Sequence, residues 1–309
     1  MKLALALGAV LLGFAAAIGG SRVAVRNAAS LAAGSRIPPF VIGLTLIAIG
    51  TDLPEIANSI ASSISGHGDL NVGDSVGSTV TQITLVLGLL PFIVGPFVVS
   101  RRSVGGIGIA TAVMLGVGTV LVADGFLSRV DASVLMAMWV VASAVLWRIL
   151  PKTGVPELPL GGRVLRRIAA AIFSLAVVGA GAYLAVQGFV VVAEVVGVPE
   201  YVISFFGASI GTSLPELVVD ITAIRAGNRE MAVGDVMGSS MVDASLSIGA
   251  GPMVAPVAVT ADLAVRGSLA AMGVVGLVAA VLAIRERHTR LSGAALLMIY
   301  VAFYPLMLA

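Results

Sequence analysis

The chain contains no cysteine, which excludes a disulfide framework and any thiolate metal site. It has only two histidines, His67 and His288; both read as solvated loop residues, and neither has a partner at metal-ligand spacing. Charge is scarce as well. Asp, Glu, Lys and Arg make up 11% of the 309 residues, against about 25% in a soluble domain. With 59% hydrophobic residues and a mean hydropathy of +1.10, a soluble globule is excluded. The isoelectric point near 9.3 could suggest nucleic acid. The arginines, however, sit between apolar runs, so lipid topology accounts for them and no nucleic-acid or protein partner is implied.

What is present is a series of apolar runs of roughly 18–25 residues, the length that crosses a bilayer core. They predict ten spans, near 2–20, 38–64, 74–98, 104–122, 131–149, 166–188, 199–225, 234–258, 264–284 and 291–308. The first run is read as a retained span rather than a cleaved signal, because its apolar part is long. Alternate loops divide the basic residues 15 against 3, with only Lys2, Arg129 and Arg266 on the poor side. The positive-inside rule then places both termini outside a cell membrane crossed many times. Residues 1–150 and 166–309 form two halves of five spans, joined by a cytoplasmic connector, 151–165, too short to fold as a regulatory domain.

The halves share a pattern. Gly50-Thr51-Asp52-Leu53-Pro54-Glu55 recurs as Gly211-Thr212-Ser213-Leu214-Pro215-Glu216, 161 residues later. Gly73-Asp74 and Gly77-Ser78 recur at the same offset, and residues 41–88 align with 202–249 without a gap at 17 identities. The identities fall on Gly, Thr, Pro, Glu, Asp and Ser rather than on apolar filler. Five spans per half is odd, so the second copy enters the membrane in the opposite sense. The expected fold is an all-α membrane protein of ten helices in two inverted repeats, with helices broken at the midplane.

Proline at 54 and 215 cannot donate a backbone hydrogen bond, so each motif helix must break or kink. Thr51 or Asp52 can cap the helix that restarts. The helix that stops is expected to leave carbonyls near Ala48 and Ile49 unpaired, which beside a carboxylate make hard oxygen ligands for Na⁺ or Ca²⁺. The second copy offers Ser209, Thr212, Ser213 and Glu216. In the segments that follow, Ser78 and Gln82 share a helix face, as do Ser239 and Asp243. Asp74 and Asp235 are expected at helix starts, favoured there by the helix dipole. Asp220, matched to Ser59, lies one turn beyond Glu216 and could line an access path or pair locally.

This paired pattern resembles the calcium/cation antiporter superfamily, in particular the prokaryotic Na⁺/Ca²⁺ exchangers, over essentially the whole chain. The resemblance implies that Glu55 and Glu216 are central ion ligands. It also implies hydroxyl ligands at Thr51, Thr212, Ser213, Ser78 and Ser239, backbone carbonyls at Ala48 and Ser209, and a polar midplane pair at Gln82 and Asp243. The family often has serine where this chain has Asp52, and asparagine where it has Gln82. The implied activity is not enzymatic: Ca²⁺ is exchanged for Na⁺ by alternating access, without cofactor, with the first and sixth helices sliding across the other eight. Ca²⁺/H⁺ antiport is the nearest rival, and Asp52 keeps it open. An intramembrane aspartyl protease would need an Asp pair where these matched residues are glutamates. A passive channel usually builds a ring by oligomerising.

Overall fold

The structure is a computed structural model and describes residues 2–34, 39–149, 164–196, 210 and 212–308. Most of the expected connector, the start of the expected seventh span and Ser209 lie outside the described residues.

The first helix, α1, spans Lys2–Gly34. After it come α2 (Pro39–Ile42), a π-helical turn (Gly43–Ile47), α3 (Ala48–Thr51) and α4 (Leu53–Ile64). Helix α5 (Gly68–Thr81) runs through a second π turn (Gln82–Val86) into α6 (Leu87–Val94). Strand β1 (Phe97–Val98), α7 (Arg101–Leu121), β2 (Phe126–Leu127) and α8 (Arg129–Ile149) complete the first half. The second half holds α9 (Val164–Val196), α10 (Leu214–Arg225), α11 (Arg229–Val242), a π turn (Asp243–Ser247) and α12 (Ile248–Val254). It ends with β3 (Val257–Ala258), α13 (Ala261–Arg285), β4 (Arg287–His288) and α14 (Arg290–Leu308).

The 161-residue offset extends to the backbone: α4 and α10, α5 and α11, the π turns after them, and β2 and β4 have bounds that match residue for residue at that spacing. Helices α4 and α10 also end alike. Gly66 and Gly227 take φ of 77° and 85°. His67 N–H bonds the Ser62 carbonyl at 2.8 Å, and Asn228 N–H the Ala223 carbonyl at 2.8 Å. This is a Schellman stop, which needs a left-handed residue and so favours glycine.

Five helices among the described residues are long and apolar enough to cross a membrane, and the bent pair Pro39–Thr51 and Leu53–Ile64 makes a sixth. Helix α1, at 33 residues, is about 50 Å long, well beyond the expected 2–20 and the roughly 30 Å hydrocarbon core. Helix α9 is equally long, against the expected 166–188. The arginines that suggested an end at residue 20 do not interrupt an α-helix, since long basic side chains can reach the interface while the helix continues. These two helices pack along one another, and α1 also lies against α10.

The halves are stitched together by β1 with β4 and β2 with β3, both antiparallel. A second set of links comes from prolines inside helices. Pro91 has no N–H for the Leu87 carbonyl four residues back, and Pro252 none for that of Ile248. Each freed carbonyl is met from the other half: His288 Nε2 donates to Leu87 O at 2.8 Å, and Asn71 Nδ2 to Ile248 O at 3.1 Å. His288 is therefore not solvated, as its arginine-rich loop suggested. It is fully buried, its ring edge-on to Phe97.

Candidate functional site

The motif helices break where expected. Asp52 leaves the helix at φ −81°, ψ 5°, and Ser213, its counterpart, does so at φ −84°, ψ 3°. The first break bends the chain by 47°. Two local expectations are corrected. The Ala48 carbonyl is not left unpaired, because it accepts the Asp52 N–H at 3.0 Å and the Thr51 hydroxyl at 3.1 Å. The carbonyl that Pro54 deprives of its N–H is that of Gly50, four residues back. Nor do the break residues cap their own helices. Ser213 makes no such bond, and Asp52 Oδ1 instead accepts from Gln82 Nε2 at 3.3 Å.

The two breaks bring acids from opposite halves together. One carboxylate oxygen each from Asp52, Glu55 and Glu216 lies within 4.8 Å of the others. Around them the hydroxyls pair by exchange between halves: Thr51 Oγ1 with Ser239 Oγ at 3.3 Å, and Ser78 Oγ with Thr212 Oγ1 at 3.3 Å. These are one contact seen twice, since each residue lies 161 positions from its counterpart. Asp52, Ser78, Gln82, Glu216, Ser239 and Asp243 have no exposed surface, and Glu55, Thr51 and Ser213 have almost none. The π turns begin at Gln82 and Asp243 in both halves, placing a polar side chain at each widened turn.

The donor set suits a hard cation. Both carboxylate oxygens of Glu55, Glu216 and Asp243 are buried without a hydrogen-bond partner among the described residues, as are Asp52 Oδ2, Gln82 Oε1 and Ser213 Oγ. No lysine or arginine is buried among the described residues. Two carboxylates at the 4.8 Å limit repel by roughly 3 kcal/mol per pair at an effective dielectric near 20. Buried acids this close hold together only with cations or protons among them. Oxygen-only donors with several carboxylates fit Ca²⁺ and Na⁺ rather than a softer metal.

Asp74 and Asp235 are not at helix starts, because α5 and α11 begin six residues earlier, at Gly68 and Arg229. Asp74 accepts from Asn58 Nδ2 at 2.6 Å, and Asp235 Oδ1 lies 3.5 Å from the Thr51 hydroxyl oxygen. The first-turn acid of α5 is Asp69. It binds Thr260 before α13, taking its hydroxyl at 2.6 Å. Asp220 is fully buried and faces Asp235, which extends the acidic surface one turn beyond Glu216. Asn71 and Asn58 were missed as structural polar groups. Nothing local in the sequence marks either, because their partners are set by packing.

The sodium/calcium exchanger protein family profile matches residues 5–148 and 167–308. The inner membrane protein YrbG of Escherichia coli is 31% identical over 235 residues, 71% of either chain. The sodium/calcium exchanger MaX1 of Methanosarcina acetivorans is 27% identical over 337 aligned positions, covering 95% of this chain and 96% of the relative. Among solved structures, the sodium-calcium exchanger NCX_Mj, soaked with 10 mM Na⁺ and zero Ca²⁺, superposes with a TM-score of 0.81 at 26% identity. That match covers 97% of this chain and 98% of NCX_Mj. A profile spanning both halves, a shared fold end to end and a buried oxygen-lined cluster between matched helix breaks lead to one conclusion: this multi-pass membrane chain belongs to the sodium/calcium exchanger protein family.

Proposed function

We propose that the chain is a secondary-active antiporter that exchanges Ca²⁺ for Na⁺ by alternating access. The observation that carries this reading is the meeting of Glu55 and Glu216, from the broken helices of opposite halves, in a buried cluster with no basic residue. The ions are cargo, and their ligands are Glu55, Glu216, Asp243, Asp52, Gln82, Thr51, Thr212, Ser213, Ser78 and Ser239. The backbone carbonyl of Ala48 joins on releasing one of its present bonds, and Ser209 is its sequence counterpart 161 residues on. Charge balance supplies the coupling. Carboxylates this close oppose occlusion when bare, so the site crosses only when Ca²⁺ or several Na⁺ neutralise it. The names of MaX1 and NCX_Mj support sodium as the partner ion.

The architecture that serves this is ten spans in two inverted repeats, 1–150 and 166–309, joined at 151–165, with both termini outside the cell. Elements matched at one offset support it, and so do strand pairings that join loops of equal parity, β1 with β4 and β2 with β3. Helices α1 and α9, long and packed on each other, are the pair that slides across the rest. Proton coupling is the second reading, favoured by Asp52 as a further acid in the cluster. The test is ⁴⁵Ca²⁺ uptake into Na⁺-loaded proteoliposomes beside K⁺-loaded and pH-jump controls. Uptake driven by Na⁺ at clamped pH is expected, with at least a hundredfold loss in Glu55→Gln and in Glu216→Gln. Undiminished uptake in both variants removes these acids from the mechanism.

A further inference from the structure

A groove of about 490 Å³ lies away from the acidic cluster, between α1 and the turn that joins α10 to α11. Arg22 and Arg26 rise one helical turn apart on its α1 wall, with Val25 between them and Ser30 beyond. The facing wall is Thr222, Ala226 and Asn228. Its depth is fixed by the Ser21–Thr222 hydroxyl contact at 2.9 Å, which ties α1 to α10 just beneath it. Both arginines are exposed, and neither guanidinium has an acidic partner among the described residues. Arg225 and Arg229 flank the same turn, against the single acid Glu230. From α9, Arg167 reaches the Ser30 carbonyl at 3.4 Å.

Two free guanidiniums one turn apart can fork onto a tetrahedral oxyanion, while the Asn228 amide opposite supplies further donors. The Thr222 hydroxyl already donates to the Val218 carbonyl at 2.7 Å and only shapes the wall. The apolar Val25 and Ala226 in its two walls suit the acyl-glycerol part of a lipid rather than a fully hydrated ion. The groove also sits on the arginine-rich side of the molecule, where anionic headgroups attract basic residues.

We propose that this groove binds a phosphate-bearing anion, supplied in the membrane by an anionic phospholipid headgroup. The ligand bridges Arg22 and Arg26 on α1 to Asn228 on the core. Its affinity therefore depends on where α1 stands, and binding favours the position in which both walls are present.

The test is native mass spectrometry of the purified full chain in detergent, titrated with phosphatidylglycerol, phosphatidylcholine or inorganic phosphate. Wild type is expected to retain phosphatidylglycerol about tenfold better than phosphatidylcholine. That preference is expected to vanish in Arg22→Gln/Arg26→Gln and to fall in each single variant, and Ala226→Leu, which fills the groove without changing charge, is expected to weaken it. Displacement of the lipid by millimolar phosphate assigns the site to phosphate itself; resistance to displacement assigns it to the lipid. The proposal is overturned if the double variant keeps the preference, or if Arg101→Gln/Arg102→Gln, elsewhere on the same side, abolishes it equally. Glu216→Gln, in which ion exchange is expected to fail, should keep the lipid preference, so this result and the exchange reading stand or fall separately.

Discussion

At the scale of single residues, Asp52 and Gln82, where the resemblance led us to expect serine and asparagine, are bonded to each other at 3.3 Å. The amide of Gln82 thus holds one oxygen of the extra acid, leaving the other facing the cluster. Replacing Asp52 by serine removes one of the three carboxylates that meet within 4.8 Å. The Ca²⁺ KM should then rise about tenfold, equivalent to ~1.4 kcal/mol. Any uptake driven by a pH jump should fall further than Na⁺-driven uptake, and paired flux assays measure the ratio. A pH-jump component that survives the substitution intact would show that Asp52 carries no transported proton. His288 makes a different argument, about stability. Its Nε2 donates to Leu87 O while Nδ1 meets the Ser292 hydroxyl at 2.9 Å. Burial holds its pKa below the ordinary 6.5. The native state therefore favours neutral imidazole, so the stability it contributes is present above pH ~6.5 and is lost as pH falls through the lowered value. His288→Ala should cost about 1–3 kcal/mol by stranding the Leu87 carbonyl. Thermal melts between pH 5 and 8 should show wild type losing its advantage over the variant toward acid.

Elements show what could be read from the sequence and what could not. The broken helices and the glutamate pair were legible because a proline and a carboxylate inside an apolar run have few physical explanations. The same residues at a fixed offset made the duplication visible without structure. The π turns at Gln82–Val86 and Asp243–Ser247 were not legible, since widening a helix by one residue changes no composition. The full length of α1 was hidden by Gly19-Gly20 and Arg22, which read as a terminus. The links of His288 to Leu87 and Asn71 to Ile248 could not be foreseen, because they join residues 201 and 177 positions apart. Helices approach closely at two glycines. A Cβ at Gly238 would lie 2.8 Å from Leu44 Cα, and one at Gly43 would lie 2.1 Å from the Met231 carbonyl oxygen. Both neighbours are backbone, so neither can swing aside. Gly43→Ala should therefore destabilise by about 1–3 kcal/mol or prevent folding. Gly105→Ala, where the added carbon would sit 3.7 Å from Ala283 Cβ, should be neutral or stabilise by up to about 1 kcal/mol. Melting temperatures in detergent compare the two; a Gly43→Ala protein as stable as Gly105→Ala would mean that the π turn starting at Gly43 and α11 are not in this contact.

For the whole molecule, the proposed inverted duplication makes one demand: matched parts must face opposite ways. Exchange between halves is already visible in the Thr51–Ser239 and Ser78–Thr212 contacts and in the crossed strand pairs. A duplication with both copies in the same sense would put the turns after α4 and α10 on one side of the membrane. An inverted one puts them on opposite sides. Those turns hold Ser65 and Ala226, 161 residues apart, both exposed and each followed by a glycine with positive φ. Because the chain has no cysteine of its own, a single introduced thiol is the only one present, and labelling reports its side directly. Ser65→Cys in intact cells should react with a membrane-impermeant maleimide added outside. Ala226→Cys should react only after the membrane is opened, in keeping with the arginines at 225 and 229 beside it. Should both thiols label from one side, the carboxylates of the two motif helices could not approach the site from opposite faces. Alternating access through a pseudo-symmetric seam would then lose its structural basis even if Ca²⁺ still crossed.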